Sequence, residues 1–174
     1  MTAAEAYDLT TRGGATDFQE VISACEGLGP YCLIGGLAVN CYVEPVYTLD
    51  ADLVVVAGNL PALSQLLEQR GFAIERYPHS VNAQTPGSDL RIQFTTDDRY
   101  QSFLARAETR TVFGLPVQVA SLLDVTQGKL WAYADPHRRL SKRKKDELDL
   151  VRLAETYPEL LSLYPETLRN LLRD

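Results

Sequence analysis

The sequence predicts an α/β domain followed by a small helical module, on three observations. Segments of helix period and strand period alternate through residues 1–118. Several of the strand-like runs are separated by short turn signals, "YPHS" and "TPGS", of the kind that join hairpins. From residue 119 the strand signals stop and helix-period segments dominate to residue 174. With 174 residues and 45% apolar composition, a single core of ordinary size is expected. No internal repeat or linker separates independent domains, so the expected organisation is an α/β core over 1–118 with the module of 119–174 packed on it.

Taken in order, "DFQEVISACEGLG" carries Phe18, Val21, Ile22, Cys25 and Leu28 at helical spacing, with Thr16 or Asp17 as N-cap and Gly27/Gly29 as stop. "YCLIGG" reads as a short buried strand ended by glycines, and "LAVNCYVE" as a short helix before Pro45. "LDADLVVV" is the next strand. "NLPALSQLLEQRGF" is the clearest helix, with Leu60, Leu63, Leu66 and Leu67 on one face, Pro61 in its first turn and Gly71 at its end. "FAIERYP", "SVNAQT" and "DLRIQFTT" are strands, "DRYQSFLARA" is helical, and "TRTVFGLPVQVA" is a strand and turn. The module holds "SLLDVTQGKLWAYAD", capped by Ser121, "SKRKKDELDLVRLAETY", expected to be capped by Ser141, and "PETLRNLLRD".

Composition narrows the function. No apolar run approaches the roughly 20 residues of a membrane helix, and the N-terminus lacks a basic start and an apolar stretch, so no membrane partner and a cytoplasmic location are expected. Cys25, Cys32 and Cys41 have no C-x-x-C spacing and read as reduced, buried thiols. His79 and His137 fall in separate loops, and Trp131 and Tyr133 read as core aromatics. The net charge of −6 is unevenly spread, since "HRRLSKRKK" (137–145) holds six of the 17 Lys and Arg residues and forms a local cationic patch.

The chemistry concentrates in "LIGG" and "LDADL". Side chains two apart on a strand share a face, so Asp50 and Asp52 project together, with Thr48 on the same side. Two carboxylates about 4 Å apart repel by about 4 kcal/mol at an effective dielectric near 20, unless a proton or a divalent cation intervenes. Mg²⁺ suits such a pair, because it takes oxygen ligands from one or two carboxylates and completes its shell with substrate phosphates. Gly35 and Gly36 let backbone N–H groups come close to such phosphates.

With "IGG", 13 residues and then the "DAD" of "LDADL", the chain resembles the nucleotidyltransferase superfamily related to DNA polymerase β. "GKLWAYADPHRRLSKRKKDELDLVRL" further resembles the AbiEii/AbiGii-type nucleotidyltransferase toxins, with Lys129, Ala132, Arg138 or Arg139, Lys145, Asp146 and Asp149 at the matching places. The likeness spans residues 30–155 and implies a mixed, mostly antiparallel sheet with packed helices. It implies that Asp50 and Asp52 bind Mg²⁺ or Mn²⁺ and that Gly35 and Gly36 cradle the phosphates of an NTP; Thr48, on the Asp50/Asp52 face by alternation, is expected to hydrogen-bond one of them. Lys129 would place a point charge on the triphosphate, Arg139 and Lys145 would reach phosphates from the helical side, and Asp146 would orient a lysine or act as a base. The setting implied is a bacterial toxin–antitoxin pair with a cognate antitoxin, and an acceptor that is a tRNA 3′ end or a protein side chain.

One position departs from the superfamily pattern. A third carboxylate is expected from a later strand, and in "DLRIQF" Gln93 stands there between Ile92 and Phe94. A glutamine orients a hydroxyl but neither takes its proton nor neutralises a metal. Asp89, four residues earlier, is the nearest substitute by alternation. The expectation is an Mg-dependent nucleotidyltransferase without its third acid. The alternatives are a catalytically degenerate nucleotide-binding module and an RNA-binding regulatory protein that uses the basic patch.

Overall fold

The computed structural model describes residues 1–173. Two helices, α1 (Ala3–Thr11) and α2 (Gly14–Leu28), lead into β1 (Tyr31–Ile34), α3 (Gly35–Val39) and β2 (Asp50–Val55). Then come α4 (Leu60–Gln69), the strands β3 (Ala73–Tyr77), β4 (Ser80–Gln84) and β5 (Arg91–Thr95), and a 3-10 helix over Asp98–Arg106. The hairpin β6 (Glu108–Val112) and β7 (Leu115–Val119) precedes α5 (Leu122–Ala134), α6 (Leu140–Thr156), a short 3-10 turn and α7 (Glu166–Leu171). The seven strands form one mixed sheet in the order β3-β4-β5-β2-β1-β7-β6. Only β1–β7 and β2–β5 pair in parallel, so the sheet is mostly antiparallel, as expected.

The strand alternation sorts side chains as the pleat requires. Ala51 and Leu53 of β2, and Ile92 and Phe94 of β5, are fully buried or nearly so, while Asp50, Asp52, Arg91 and Gln93 take the other face. Removing each such Leu, Ile or Phe side chain from water contributes about 1.5–3 kcal/mol. Phe18 and Val21 of α2, Leu63 and Leu67 of α4, Leu150 and Leu153 of α6 and Leu168 of α7 belong to the same apolar cluster, so the core and the C-terminal helices share one interior. Tyr42 Oη donates to the Ala120 carbonyl (2.7 Å) and Tyr157 Oη to the Tyr42 carbonyl (3.0 Å), which ties the segment after α3 to both. No described helix is long and apolar enough to cross a membrane.

Several element ends differ from expectation, each for a local reason. Helix α1 was not anticipated, although Thr2 and Glu5 form a full capping box at its start. Helix α2 begins at Gly14, so Thr16 and Asp17 lie inside its first turn, and Asp8 of α1 accepts from Thr16 N (2.9 Å) in place of a local cap. Helix α3 begins at the glycine pair itself, ahead of "LAVNCYVE". Ser141 is not the cap of α6: Arg143 N donates to Arg139 O (3.0 Å), so the cap is Arg139, two residues earlier. Ser121 does cap α5, accepting from Asp124 N (3.2 Å), and the Asp124 carboxylate turns to Arg106 in a two-point ion pair.

Candidate functional site

Strand register builds the site. Ile34, the last residue of β1, lies opposite Asp52 of β2, so the chain turns into Gly35 directly over that carboxylate. Gly35 has φ +71°, a left-handed conformation, and a Cβ there would overlap Asp52 Oδ2 and lie 3.0 Å from its Cγ. Gly36 is freer: its nearest neighbours would be Thr48 Oγ1 at 3.8 Å and Asp149 Oδ2 at 4.0 Å. Gly35→Ala is therefore expected to lower stability by about 1–3 kcal/mol and to displace Asp52, whereas Gly36→Ala melts near wild type. Thermal denaturation of the two variants checks this, and equal melting temperatures would contradict the close approach.

On the other side of β2, β5 runs parallel and sets Arg91 opposite Asp50 and Gln93 opposite Asp52. Arg91 Nε lies 2.7 Å from Asp50 Oδ1, and Lys142 Nζ, from α6, lies 2.8 Å from Asp50 Oδ2. Burial opposes ionisation of Asp50, but these two cations hold its carboxyl below the usual carboxylate range. Asp52 is the reverse case. Among the described residues no basic group lies within ion-pair distance of it. The residue is half-buried: it lines the cleft, and its carboxyl lies close under Gly35. Burial, with the Asp50 charge adding to it against Lys129, Arg138 and Lys142, pushes its pKa up to about 6.

The helical module closes the cleft with a buried charge network. Lys129 of α5 is only 9% exposed and reaches Asp146 Oδ1 (3.1 Å) and Asp149 Oδ2 (2.8 Å) of α6. Burial works against its charge, yet the two aspartates outweigh it and raise its pKa. Arg138 pairs with Asp146, and Arg152 Nη1 pairs with Asp149 Oδ1 (2.7 Å). Arg152 also donates to Asn40 Oδ1 (3.1 Å) and to the Glu44 carbonyl, fastening α6 to the segment that follows α3. Thr48 Oγ1 accepts from Asp50 N (3.2 Å) and so steadies the entry to β2.

Three adjoining cavities meet at these residues. One of about 120 Å³ lies between Gly35, Asp52, Gln93, Tyr100, Lys129 and Arg138. A second, about 290 Å³, is bounded by Gly36, Thr48, Asp50, Asp52, Lys142 and Lys145. A third, about 370 Å³, runs past Asp50 along Asn82, Arg91, Arg139, Ser141 and Lys145. The structure thus gathers Gly35, Gly36, Thr48, Asp50, Asp52, Gln93, Lys129, Lys145 and Asp146 around the first two cavities, whereas Arg139 borders only the third. Of the two neighbouring arginines it is Arg138 that faces the acidic pair. Asp89 does not approach: it is ion-paired with Arg12, and its N–H donates to the Thr11 carbonyl. Arg91 and Arg152 are additions that motif reading missed, and Lys142, read only as part of the basic patch, proves to meet Asp50. Arg91 shares the Gln93 face of its strand by alternation, which was a usable signal.

A divalent cation fits what is here. Among the described residues no group of three or more His, Cys, Asp or Glu is placed to hold a metal by itself. The residues that could hold one are Asp50 and Asp52, which share a face of β2, with Asp52 against Gly35 and without an ion-pair partner; a Mg²⁺ or Mn²⁺ there would need further oxygens from a ligand's phosphates.

No protein-family model and no curated protein matches the chain by sequence. Solved structures do match in shape. The lincosamide antibiotic adenylyltransferase LnuA, lincomycin-bound, superposes with a TM-score of 0.55 at 13% identity, over 79% of this chain and 96% of that one. ANT(2″)-Ia in complex with adenylyl-2″-tobramycin gives 0.57 at 19% identity, over 90% and 92%. A nucleotidyltransferase-like protein from Paracoccidioides brasiliensis gives 0.50 at 20% identity, over 79% and 74%. The fold is that of the nucleotidyltransferases.

Proposed function

We propose that the chain is a nucleotidyltransferase that moves a nucleoside monophosphate from an NTP to an acceptor hydroxyl and releases pyrophosphate. The observation that carries this reading is the seating of Gly35, at positive φ, against the enclosed Asp52 carboxylate with Asp50 two residues away on the same face. Asp50 and Asp52 would hold Mg²⁺ or Mn²⁺, which when bound supplies positive charge to the triphosphate. Gly36, with only ordinary contact distances where a Cβ would stand, would leave room for phosphate oxygens beside the backbone, whereas at Gly35 that space is taken by the Asp52 carboxylate and the glycine serves the close approach of the turn to the acidic strand. Lys145, without an ion-pair partner among the described residues, and Lys142 offer them ammonium groups from α6. Lys129, already shared by two aspartates, positions Asp146 and Asp149 and lends its field to Asp52. As the acceptor hydroxyl oxygen bonds the α-phosphorus, its proton passes to solvent water in the cleft and the bond from the α-phosphorus to the bridging oxygen breaks, releasing pyrophosphate; Gln93, in register with Asp52, would orient that hydroxyl.

RNA is the acceptor we favour over a protein side chain. The third cavity adjoins Asp50 and is walled by Arg91, Arg139, Lys142 and Lys145, while the buried Asn82 Oδ1 on its wall has no hydrogen-bond partner. A cationic groove of this kind follows a phosphodiester backbone. A tRNA 3′ end as acceptor, a role as the toxin of an AbiEii-like toxin–antitoxin pair and a cognate antitoxin belong to the same reading. Incubation with α-labelled NTPs, Mg²⁺ and total RNA should label RNA, and Asp50→Asn should abolish the labelling. Binding of NTP without transfer to RNA or protein would favour the second reading, a nucleotide-binding module, for which Gln93 in place of an acid beside Asp52 is the supporting observation.

A further inference from the structure

We propose that Lys142 is a latch on Asp50 that only a polyphosphate releases, so that the divalent cation and the nucleotide bind cooperatively. The inference rests on the reading of the cleft as a nucleotide site. Both oxygens of Asp50 are taken by cations: Arg91 Nε lies 2.7 Å from Oδ1 and Lys142 Nζ lies 2.8 Å from Oδ2. Asp52, on the same face, has no cation in contact. The acidic pair is therefore unequal: one carboxylate has no cation against it and the other is held by two.

The two occupants differ in how they leave. Arg91 sits on β5 in direct register with Asp50, so the strand pairing fixes its backbone beside that carboxylate, and its side chain, about half exposed, presents a planar guanidinium to Oδ1. Lys142 stands in the first turn of α6 at the end of a flexible four-carbon stem, its side chain about one-third exposed, and it borders both the second and the third cavity. A divalent ion brought to Asp50 Oδ2 meets the Lys142 ammonium at close range and is repelled. A triphosphate in the second cavity offers that ammonium a stronger anion a short swing away. Lys142 then changes from competitor of the metal to partner of the phosphates, and each ligand tightens the other.

The test is Mn²⁺ binding, read by electron paramagnetic resonance from the free-ion signal, with and without a non-hydrolysable NTP analogue. Lys142→Met keeps the stem and removes the charge. It should tighten Mn²⁺ about tenfold in the absence of nucleotide and remove most of the further tightening that the analogue produces in the wild type. Lys144→Met, which removes an exposed charge of the same helix paired with Glu147, should leave Mn²⁺ affinity at the wild-type value. Melting curves establish that each variant is folded. If Lys142→Met binds Mn²⁺ no better than wild type while Asp50→Asn binds it worse, the metal site stands and the latch is overturned. If Asp50→Asn and Asp52→Asn both leave Mn²⁺ binding unchanged, the nucleotide reading of the cleft fails and the latch fails with it.

Discussion

Asp52→Asn is expected to reduce nucleotide transfer by about a thousandfold and yet to raise the melting temperature at neutral pH. The two effects have one cause. The Asp52 carboxyl is enclosed under Gly35 and lacks an ion-pair partner, so its charge is unfavourable in the free protein and useful only when a cation arrives. Its pKa rises from 3.8 in an unconstrained chain to about 6 in the fold. The folded state therefore binds the proton more tightly than the unfolded state. The contribution of Asp52 to stability is full below about pH 4 and falls as pH rises to about 6, and above that it stays as a constant penalty. The penalty is about 1–2 kcal/mol once the solvent in the cleft is allowed for. The neutral amide escapes it, and for a chain of this size that is about 3–6 °C in melting temperature. Calorimetry of both proteins from pH 4 to pH 7.5 should show curves that coincide at the acid end and separate through pH 6. A variant no more stable than wild type at pH 7.5 would mean that Lys129 and Arg138 already neutralise Asp52 from a distance.

What could be read in the sequence was local, and what could not was tertiary. The pleat of two short strands places Asp50 with Asp52, and Arg91 with Gln93, because alternation needs nothing but the chain itself. The α4 helix announces itself through four leucines and Pro61 for the same reason. Ion pairs leave no such trace. Lys142 meets Asp50 across 92 residues, and Arg152 meets Asn40 across 112, so no period or spacing connects them. Lys129 illustrates the difference. Its place in a motif suggested a bare charge facing a triphosphate, but its burial between Asp146 and Asp149 appears only once α5 and α6 are packed together. The ends of α2 and α6 escaped for a related reason, since a side chain from α1 and a backbone bond to Arg139 took the roles expected of local caps.

Asp146→Ala is the substitution expected to damage the fold most, by about 3–5 kcal/mol, although Asp146 lies in the motif that suggests chemistry. Asp146 is 1% exposed, with Lys129 on Oδ1 and Arg138 bonded to Oδ2. Removing it leaves two cations facing each other at the joint between α5 and α6, where only Asp149 remains to hold Lys129 and is itself shared with Arg152. The converse change is milder. In Lys129→Met, Asp146 retains Arg138 and Asp149 retains Arg152, so no buried carboxylate is stranded, and a loss of about half that of Asp146→Ala is expected. The double variant should be more stable than Asp146→Ala alone, because the second change removes one of the uncompensated charges. Urea denaturation of the three proteins at pH 7 measures the cycle. Additive losses would show that water in the cleft already screens the network. A positive coupling would show that Lys129 and Asp146 act first as the fastening of the helical module over the acidic strand, and that they influence the site through the position of α6.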